Sequence, residues 1–338
     1  MSVDALVPND PRVEDKFTSF GDIRYHYMLA KPAGKPAATV LLIHGWPDLG
    51  MGWRYQVPYL LSLNLQVIVP DMLGYGQTSA PDAVEEYTMK KISAHMVGIV
   101  KENTDQPIIL GGHDWGGFFV WRMARWYPEI IRGVFSLCVP YWPPSPVKVS
   151  LEEAVQRMPN FRYQLQLASP VAENIVNKSP ESLRGFINGA FGGVTADGKP
   201  MFSTQIGVIE ENVEKILPSK LIDQKIADFY VQEYSRNGLH GPCNWYRTRD
   251  LNGEDDLELA KDPSFQFKIP AMLVMAGRDQ ALPPHLAEGQ DKYFAAGLKS
   301  ELIPESNHWV QVTFPKEVND YIGDFVETVL GEELKAAL

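Results

Sequence analysis

The strongest constraint on the fold is a series of short apolar runs that do not alternate. Residues 39–43, 66–69, 108–110 and 134–139 are rich in Val, Ile and Leu and bounded by turn residues. An alternating pattern marks a sheet with one face in water. Continuous hydrophobicity over so few residues marks strands buried on both faces, hence a parallel sheet covered by helices. Amphipathic segments lie between the runs, such as residues 116–126, which Pro128 closes. Strands alternating with helices predict an α/β fold. A hairpin precedes them at Gly21-Asp22, between the β-prone residues 17–20 and 23–27.

The pattern breaks at Pro140-Tyr141-Trp142-Pro143-Pro144-Ser145-Pro146. From there to about Asp262 the chain reads as helices and loops with no buried strand. Ser150 with Glu153 forms a capping box, and Ser179-Pro180 opens a second helix. A longer helix runs from about Lys220 to Arg236 and ends near Gly238. Strand-like runs return at residues 271–276 and 300–303, and a terminal helix follows Pro315. The expectation is a core domain of residues 1–140 and 263–338 interrupted by a helical cap of residues 141–262. An insertion of that kind suits a lid over a site at the strand ends.

Composition narrows the partners. The 338-residue chain carries 42 acidic and 31 basic residues, a net charge of -11, which argues against nucleic acid and anionic membrane surfaces. No apolar run reaches the roughly 18 residues of a membrane span. The only two cysteines, Cys138 and Cys243, suit a reducing compartment. Met1 to Phe17 has no signal-peptide core, and residues 335–338 match no common address tag. A cytoplasmic location is expected. Gly74-Tyr75-Gly76 lacks the lysine and third glycine of a phosphate loop, and no pair of histidines has metal-ligand spacing. Neither a cofactor nor a metal is expected.

Chemistry concentrates in Leu110-Gly111-Gly112-His113-Asp114-Trp115-Gly116-Gly117, between a buried strand and a helix. Two readings fit this turn: a glycine-rich connection with Asp114 as helix cap, or a sharp elbow that presents Asp114 as a nucleophile. In the second, Gly112 and Gly116 relieve crowding around a strained residue. A carboxylate nucleophile restricts the reaction. Attack on an ester or amide would give an anhydride, whereas attack on an sp³ carbon with a leaving group gives an ordinary ester that water cleaves. Epoxides and alkyl halides qualify.

Where a nucleophile occupies such an elbow, an acid and then a histidine follow in chain order. Asp279 comes directly after the run 271–276, although a loop Asp there also fits a plain turn. His308, in Glu305-Ser306-Asn307-His308-Trp309, is the one histidine in a late loop after it, since Pro283-Pro284-His285 reads as a helix start. His44-Gly45-Trp46-Pro47 follows the run 39–43, where a second oxyanion donor belongs. The backbone amides of Trp46 and Trp115 are assigned to that hole, and His44 to a structural hydrogen bond.

Asp114, Asp279, His308 and His44-Gly45-Trp46-Pro47, with the helical insertion, resemble the epoxide hydrolase and haloalkane dehalogenase branch of the α/β-hydrolases. The cap decides between the two. The epoxide hydrolases of this fold use two lid tyrosines that hydrogen-bond the epoxide oxygen. Their flanking segments match Phe161-Arg162-Tyr163-Gln164-Leu165 and Asn244-Trp245-Tyr246-Arg247. The resemblance covers nearly the whole chain. It looks closest to soluble epoxide hydrolases of the fungal type, without the N-terminal phosphatase domain of the bifunctional animal enzymes. It implies an α/β-hydrolase fold, a mostly parallel central sheet with helices on both faces and an inserted cap, and hydrolysis of epoxides to diols. Asp114 would be the nucleophile, His308 the base, Asp279 its orienting acid, and Tyr163 and Tyr246 the proton donors. Opening an epoxide leaves an alkoxide, far more basic than halide, and a phenol can protonate it. Trp46, Trp115, Phe161 and Trp309 are candidate pocket residues for a small lipophilic epoxide, with water as second substrate. Trp115 as a halide-binding indole keeps a dehalogenase open as an alternative, and a non-catalytic ligand receptor on the same fold is a second.

Overall fold

The computed structural model describes residues 3–331, 333 and 334; residues 335–338, considered above as an address tag, lie outside them. Ten strands form among the described residues: β1 (Glu14–Phe20), β2 (Ile23–Ala30), β3 (Thr39–Ile43), β4 (Gln66–Pro70), β5 (Ile108–His113), β6 (Ile131–Leu137), β7 (Phe202–Ser203), β8 (Gly207–Val208), β9 (Ala271–Ala276) and β10 (Leu298–Ile303). Eight build one sheet in the order β1-β2-β4-β3-β5-β6-β9-β10. β2 pairs antiparallel with both β1 and β4, and every later neighbour pairs parallel. All residues of β3, β5 and β9 are buried, which is why these strands read as continuous apolar runs.

The hairpin closes where Phe20 pairs with Ile23, and Gly21 at φ 60° supplies the left-handed turn residue. β6 ends at Leu137 rather than Val139 because Cys138, at φ 69°, turns the chain off the sheet.

Helices α1 (Gln56–Ser62), α2 (Met89–Asn103) and α3 (Trp115–Trp126) and the C-terminal helix Pro315–Leu330 accompany the sheet. Side chains alternate between the faces of a strand, and β6 shows what covers each face. Phe135 meets Phe325 of the C-terminal helix at 6.0 Å between ring centroids, and a side chain on Gly133 would strike Phe325 and Val329. Ser136, on the opposite face, lies against Gly117 of α3. Helices thus cover both faces.

The chain divides into two compact units. One comprises residues 1–72, 89–143 and 259–338; the other comprises residues 73–88 and 144–258. The second holds α4 (Leu151–Arg157), α5 (Tyr163–Ala168), α6 (Val171–Val176), α7 (Pro180–Ala190), α8 (Glu210–Val213), α9 (Gln224–Asn237), α10 (His240–Arg247) and α11 (Arg249–Leu259, its last residue falling in the first unit). Ser150 and Glu153 form both halves of the capping box on α4, and the Ser179 side chain accepts from Ser182 N at the start of α7. Asp223, not a residue near Lys220, caps α9, which ends against Gly238 at φ 64°.

Two features differ from the sequence reading. β7 and β8 form a two-residue antiparallel pair within the insertion, where no buried strand was expected, although Gly207 and Val208 are buried. Residues 73–88, placed by sequence in the core domain, group with the helical unit. The Trp245 indole, 172 positions away, donates to Leu73 O at 2.9 Å, and the Asn237 amide donates to Gly76 O at 3.1 Å. Among the described residues no helix is long and apolar enough to cross a membrane.

Candidate active site

β5 passes into α3 through the single residue Asp114, at φ 54° and ψ -123°. An L-residue adopts this backbone only where its surroundings enforce it. The surroundings here are glycines. A Cβ on Gly112 would strike the Gly116 main chain, and one on Gly116 would strike the Ile43 carbonyl. A Cβ on Gly45 would occupy the place of the Asp114 side chain. The elbow is therefore as sharp as the glycine spacing suggests.

The Asp114 carboxylate is held from two sides. Oδ1 accepts from the Trp46 amide at 2.6 Å, and Oδ2 lies 3.5 Å from His308 Nε2. His308 Nδ1 is 2.7 Å from Asp279 Oδ2, and the other Asp279 oxygen accepts from the Ala281 and Leu282 amides at 2.9 and 3.0 Å. The first unit thus brings Asp114, His308, Asp279 and the Trp46 amide together. Trp115 opens α3 directly after Asp114.

Electrostatics follow the geometry. Burial alone would raise the Asp114 and Asp279 carboxyls, but His308 outweighs it and both sit below their ordinary values. Burial alone would lower His308; the Asp279 charge and the hydrogen bond it donates to Asp114 hold it well above its ordinary value. The resting site is an imidazolium between two carboxylates.

A buried polar chain that sequence reasoning did not single out backs the histidine. His113 Nε2 lies 2.8 Å from the His308 carbonyl, while Gln311 Nε2 donates to His113 Nδ1 at 3.1 Å. Gln311 thereby fixes the tautomer in which Nε2 carries the proton. Burial, then the His308 charge, push His113 down to about 4, so it stays neutral. Gln56 donates in turn to Gln311 O and to Asn319 Oδ1, both at 3.1 Å. The Cys138 thiol reaches the same His308 carbonyl at 3.4 Å. The available signal was adjacency, since His113 precedes Asp114.

Folding also assembles a cluster that linear histidine spacing did not anticipate. Ligand-type atoms of His113, Cys138 and His308 lie within 4.8 Å of one another. The ring nitrogens of both histidines already face Gln311, the His308 carbonyl, Asp279 and Asp114, so the cluster is built for hydrogen bonding. His44 is likewise structural: Nδ1 meets Gly45 O and Nε2 accepts from Met72 N, both at 2.9 Å. Trp309, read as a pocket residue, is buried with its ring 5.8 Å from His308 and 5.7 Å from His113.

In the second unit Tyr163 opens α5 and Tyr246 lies in α10, both buried, with ring centroids 6.1 Å apart at 74°. Phe161 lies 6.5 Å from Tyr163, and Phe202 packs on the same ring at 5.3 Å. Tyrosines 83 positions apart in sequence therefore form one aromatic pair.

A family described as alpha/beta hydrolase fold matches residues 38–189. The chain is 51% identical to epoxide hydrolase srdG of Neurospora crassa, over 98% of this chain and all of that protein. It is 32% identical to bifunctional epoxide hydrolase 2 of Mus musculus over 91% of this chain, and spans 56% of that longer protein. The crystal structure of epoxide hydrolase A from Mycobacterium thermoresistibile matches with a TM-score of 0.78 at 27% identity, covering 93% of this chain and 98% of that one. An epoxide hydrolase from Vigna radiata shares the fold at a TM-score of 0.76 and 21% identity, over 94% of this chain and 98% of that one. The chain belongs to the epoxide hydrolase family of the α/β-hydrolase fold.

Proposed function

We propose that this protein hydrolyses epoxides to vicinal diols through a covalent alkyl ester on Asp114. The observation that carries the reading is the two-sided hold on that carboxylate. With Oδ1 bonded to the Trp46 amide, Oδ2 attacks an epoxide carbon, the carbon–oxygen bond breaks, and its electron pair passes to the ring oxygen. Tyr163 or Tyr246 protonates that oxygen. The ester removes the Asp114 charge and with it part of what holds the proton on His308, so the imidazolium releases that proton to solvent and the neutral imidazole becomes a base when one is needed. His308, oriented by Asp279, takes a proton from water as the oxygen bonds to the ester carbonyl carbon. The oxyanion forms on Oδ1, where the Trp46 amide already donates and the Trp115 amide is assigned to join it. Loss of one such donor typically costs ~10²–10³ in rate. Collapse expels the diol oxygen, which recovers the proton from His308. The carboxylic acid left on Asp114 then ionises, its proton returning to His308, and the tyrosinate is reprotonated from solvent.

The preferred substrate is a small lipophilic epoxide, on the aromatic character of Trp46, Trp115, Phe161 and Trp309. The two free, buried cysteines fit a cytoplasmic setting. The test compares wild type and Asp114→Ala for diol formation from styrene oxide and an epoxidised fatty acid, and for halide release from a bromoalkane. Diol formation that Asp114→Ala abolishes, without halide release, is the expected result. Halide release without diol would make the protein a dehalogenase. Silence in both arms, with tight ligand binding, would make it a receptor.

A further inference from the structure

One side chain ties together the helices that carry the tyrosine pair. Arg247 ends α10, next to Tyr246. Its Nε donates to Ala168 O at 3.0 Å and its Nη2 to Ser169 O at 3.1 Å, the carbonyls that finish α5 five residues beyond Tyr163. Nη1 donates to Asn244 Oδ1 at 2.8 Å, within α10 itself. Glu173 of α6 lies 3.3 Å from Nη2 through one oxygen and 2.8 Å from His240 Nδ1 through the other. A guanidinium is suited to this task because its planar fork serves several acceptors in fixed directions; a lysine ammonium is a point charge on a flexible stem. The cation also sits at the carbonyl end of α5, where the helix dipole favours it. On its other flank α5 is fixed by Gln166, whose amide exchanges two hydrogen bonds with Val208. The helix is thus held on both flanks, and Arg247, next to Tyr246, joins its end to α10.

We propose that Arg247 is a positioning residue for epoxide opening: by spanning α10 and the end of α5 it sets the separation of the Tyr163 and Tyr246 hydroxyls so that both reach one oxygen. The proposal rests on the reading of those tyrosines as donors to the epoxide. Two donors converging on a single atom tolerate little relative movement, and a misplacement of about 1 Å costs on the order of 10²-fold in rate. The consequence is selective. Arg247 matters when the ring oxygen takes its proton and is irrelevant when water attacks the ester at Asp114.

The experiment is rapid-quench kinetics with styrene oxide on wild type, Arg247→Met and Arg247→Lys, following formation and decay of the ester on the Asp114 peptide by mass spectrometry. Ester formation should slow ~10–10²-fold in Arg247→Met. Decay should be unchanged, and Arg247→Lys should fall between. In a Tyr163→Phe/Tyr246→Phe background Arg247→Met should slow ester formation no further. Equal slowing of both steps at matched circular dichroism would reduce Arg247 to a structural residue and overturn the proposal, as would a full additional loss in the double-Phe background. If Arg247→Met does not fold, Arg247→Lys answers the same two questions. Wild-type ester formation by the double-Phe variant itself would remove the tyrosines from the mechanism and the proposal with them, which separates that failure from a failure of Arg247 alone.

Discussion

His308 holds a proton more tightly than a free imidazole does, yet its proposed task is to remove one from water. The conflict disappears once Asp114 is esterified, because one of the two carboxylates that stabilise the imidazolium becomes neutral. Two outcomes follow at this residue. His308→Gln should still form the ester and then stall, leaving a stable adduct on the Asp114 peptide; loss of turnover without an adduct would refute the two-step scheme. The two steps should also part company with pH. Asp114 is held below its ordinary value and remains a carboxylate in mild acid, so ester formation persists there. Ester hydrolysis requires neutral His308 and must slow as pH falls through the imidazole pKa of the esterified enzyme. Rapid-quench sampling across pH should find ester accumulating on the acid side; equal pH dependence of both steps would mean that the same group limits both. Asp114, Asp279 and His308 were legible in sequence because order along the chain and position after a strand are linear properties. His113 and Cys138 converge on the His308 carbonyl, with Gln311 behind His113, from three separate stretches of chain, and nothing linear marks that.

Among the elements, the β5–α3 elbow depends on close approach, which glycine alone permits. A Cβ on Gly116 would meet the carbonyl oxygens of Ile43 and His44, main-chain atoms that cannot rotate away. Gly116→Ala should therefore cost about 1–3 kcal/mol or more, the range for overpacking, and displace Asp114 from the Trp46 amide. Gly253 in α11 provides the contrast, since a Cβ there meets only Lys148 Cγ at 3.9 Å. Gly253→Ala should stabilise by about 0.4–1 kcal/mol through the unfolded state. Urea denaturation read alongside diol formation checks both, and wild-type stability in Gly116→Ala would disprove the crowding argument. The same contrast between local and distant constraints explains which elements sequence could locate. β3 and β9 have the residue bounds their apolar runs predict, because burial on both faces is written in every residue. The β7–β8 pair escapes such a reading since two-residue strands carry no periodicity. α9 starts after Asp223 rather than near Lys220 because the Asp223 side chain caps it, accepting from Ile226 N, and a cap is a weaker linear signal than the helix-forming residues before it.

At the scale of the whole molecule, buried charge ties the edge of the sheet to its interior and makes stability depend on pH in a defined direction. His26 of β2 lies 2.8 Å from Asp71, which follows β4, and 2.9 Å from Asp15 of the edge strand β1. Asp71 also accepts from Gly50 N, so one cation joins three segments. Burial alone would lower the His26 pKa, but the hydrogen bonds and charges of Asp71 and Asp15 raise it to about 9. A raised folded-state pKa gives stability that is complete below the unfolded value of about 6.5 and disappears as pH climbs to the folded one. Over that window the loss from His26 is about 3 kcal/mol, with 1.36 kcal/mol for each pKa unit. His308 is raised too and adds loss of the same sign. Asp71, Asp114 and Asp279 are lowered and contribute oppositely: their stabilisation holds above the unfolded carboxylate value of about 4 and fades in acid. These groups confine greatest stability to the interval between about pH 4 and about pH 6.5. His26→Gln isolates the edge cluster. It should unfold at lower urea than wild type near pH 6, approach it near pH 9, and retain only the shallower alkaline decline that His308 supplies. A His26→Gln protein whose urea midpoint falls with pH as steeply as wild type would show that the Asp15–His26–Asp71 cluster does not govern the alkaline limit.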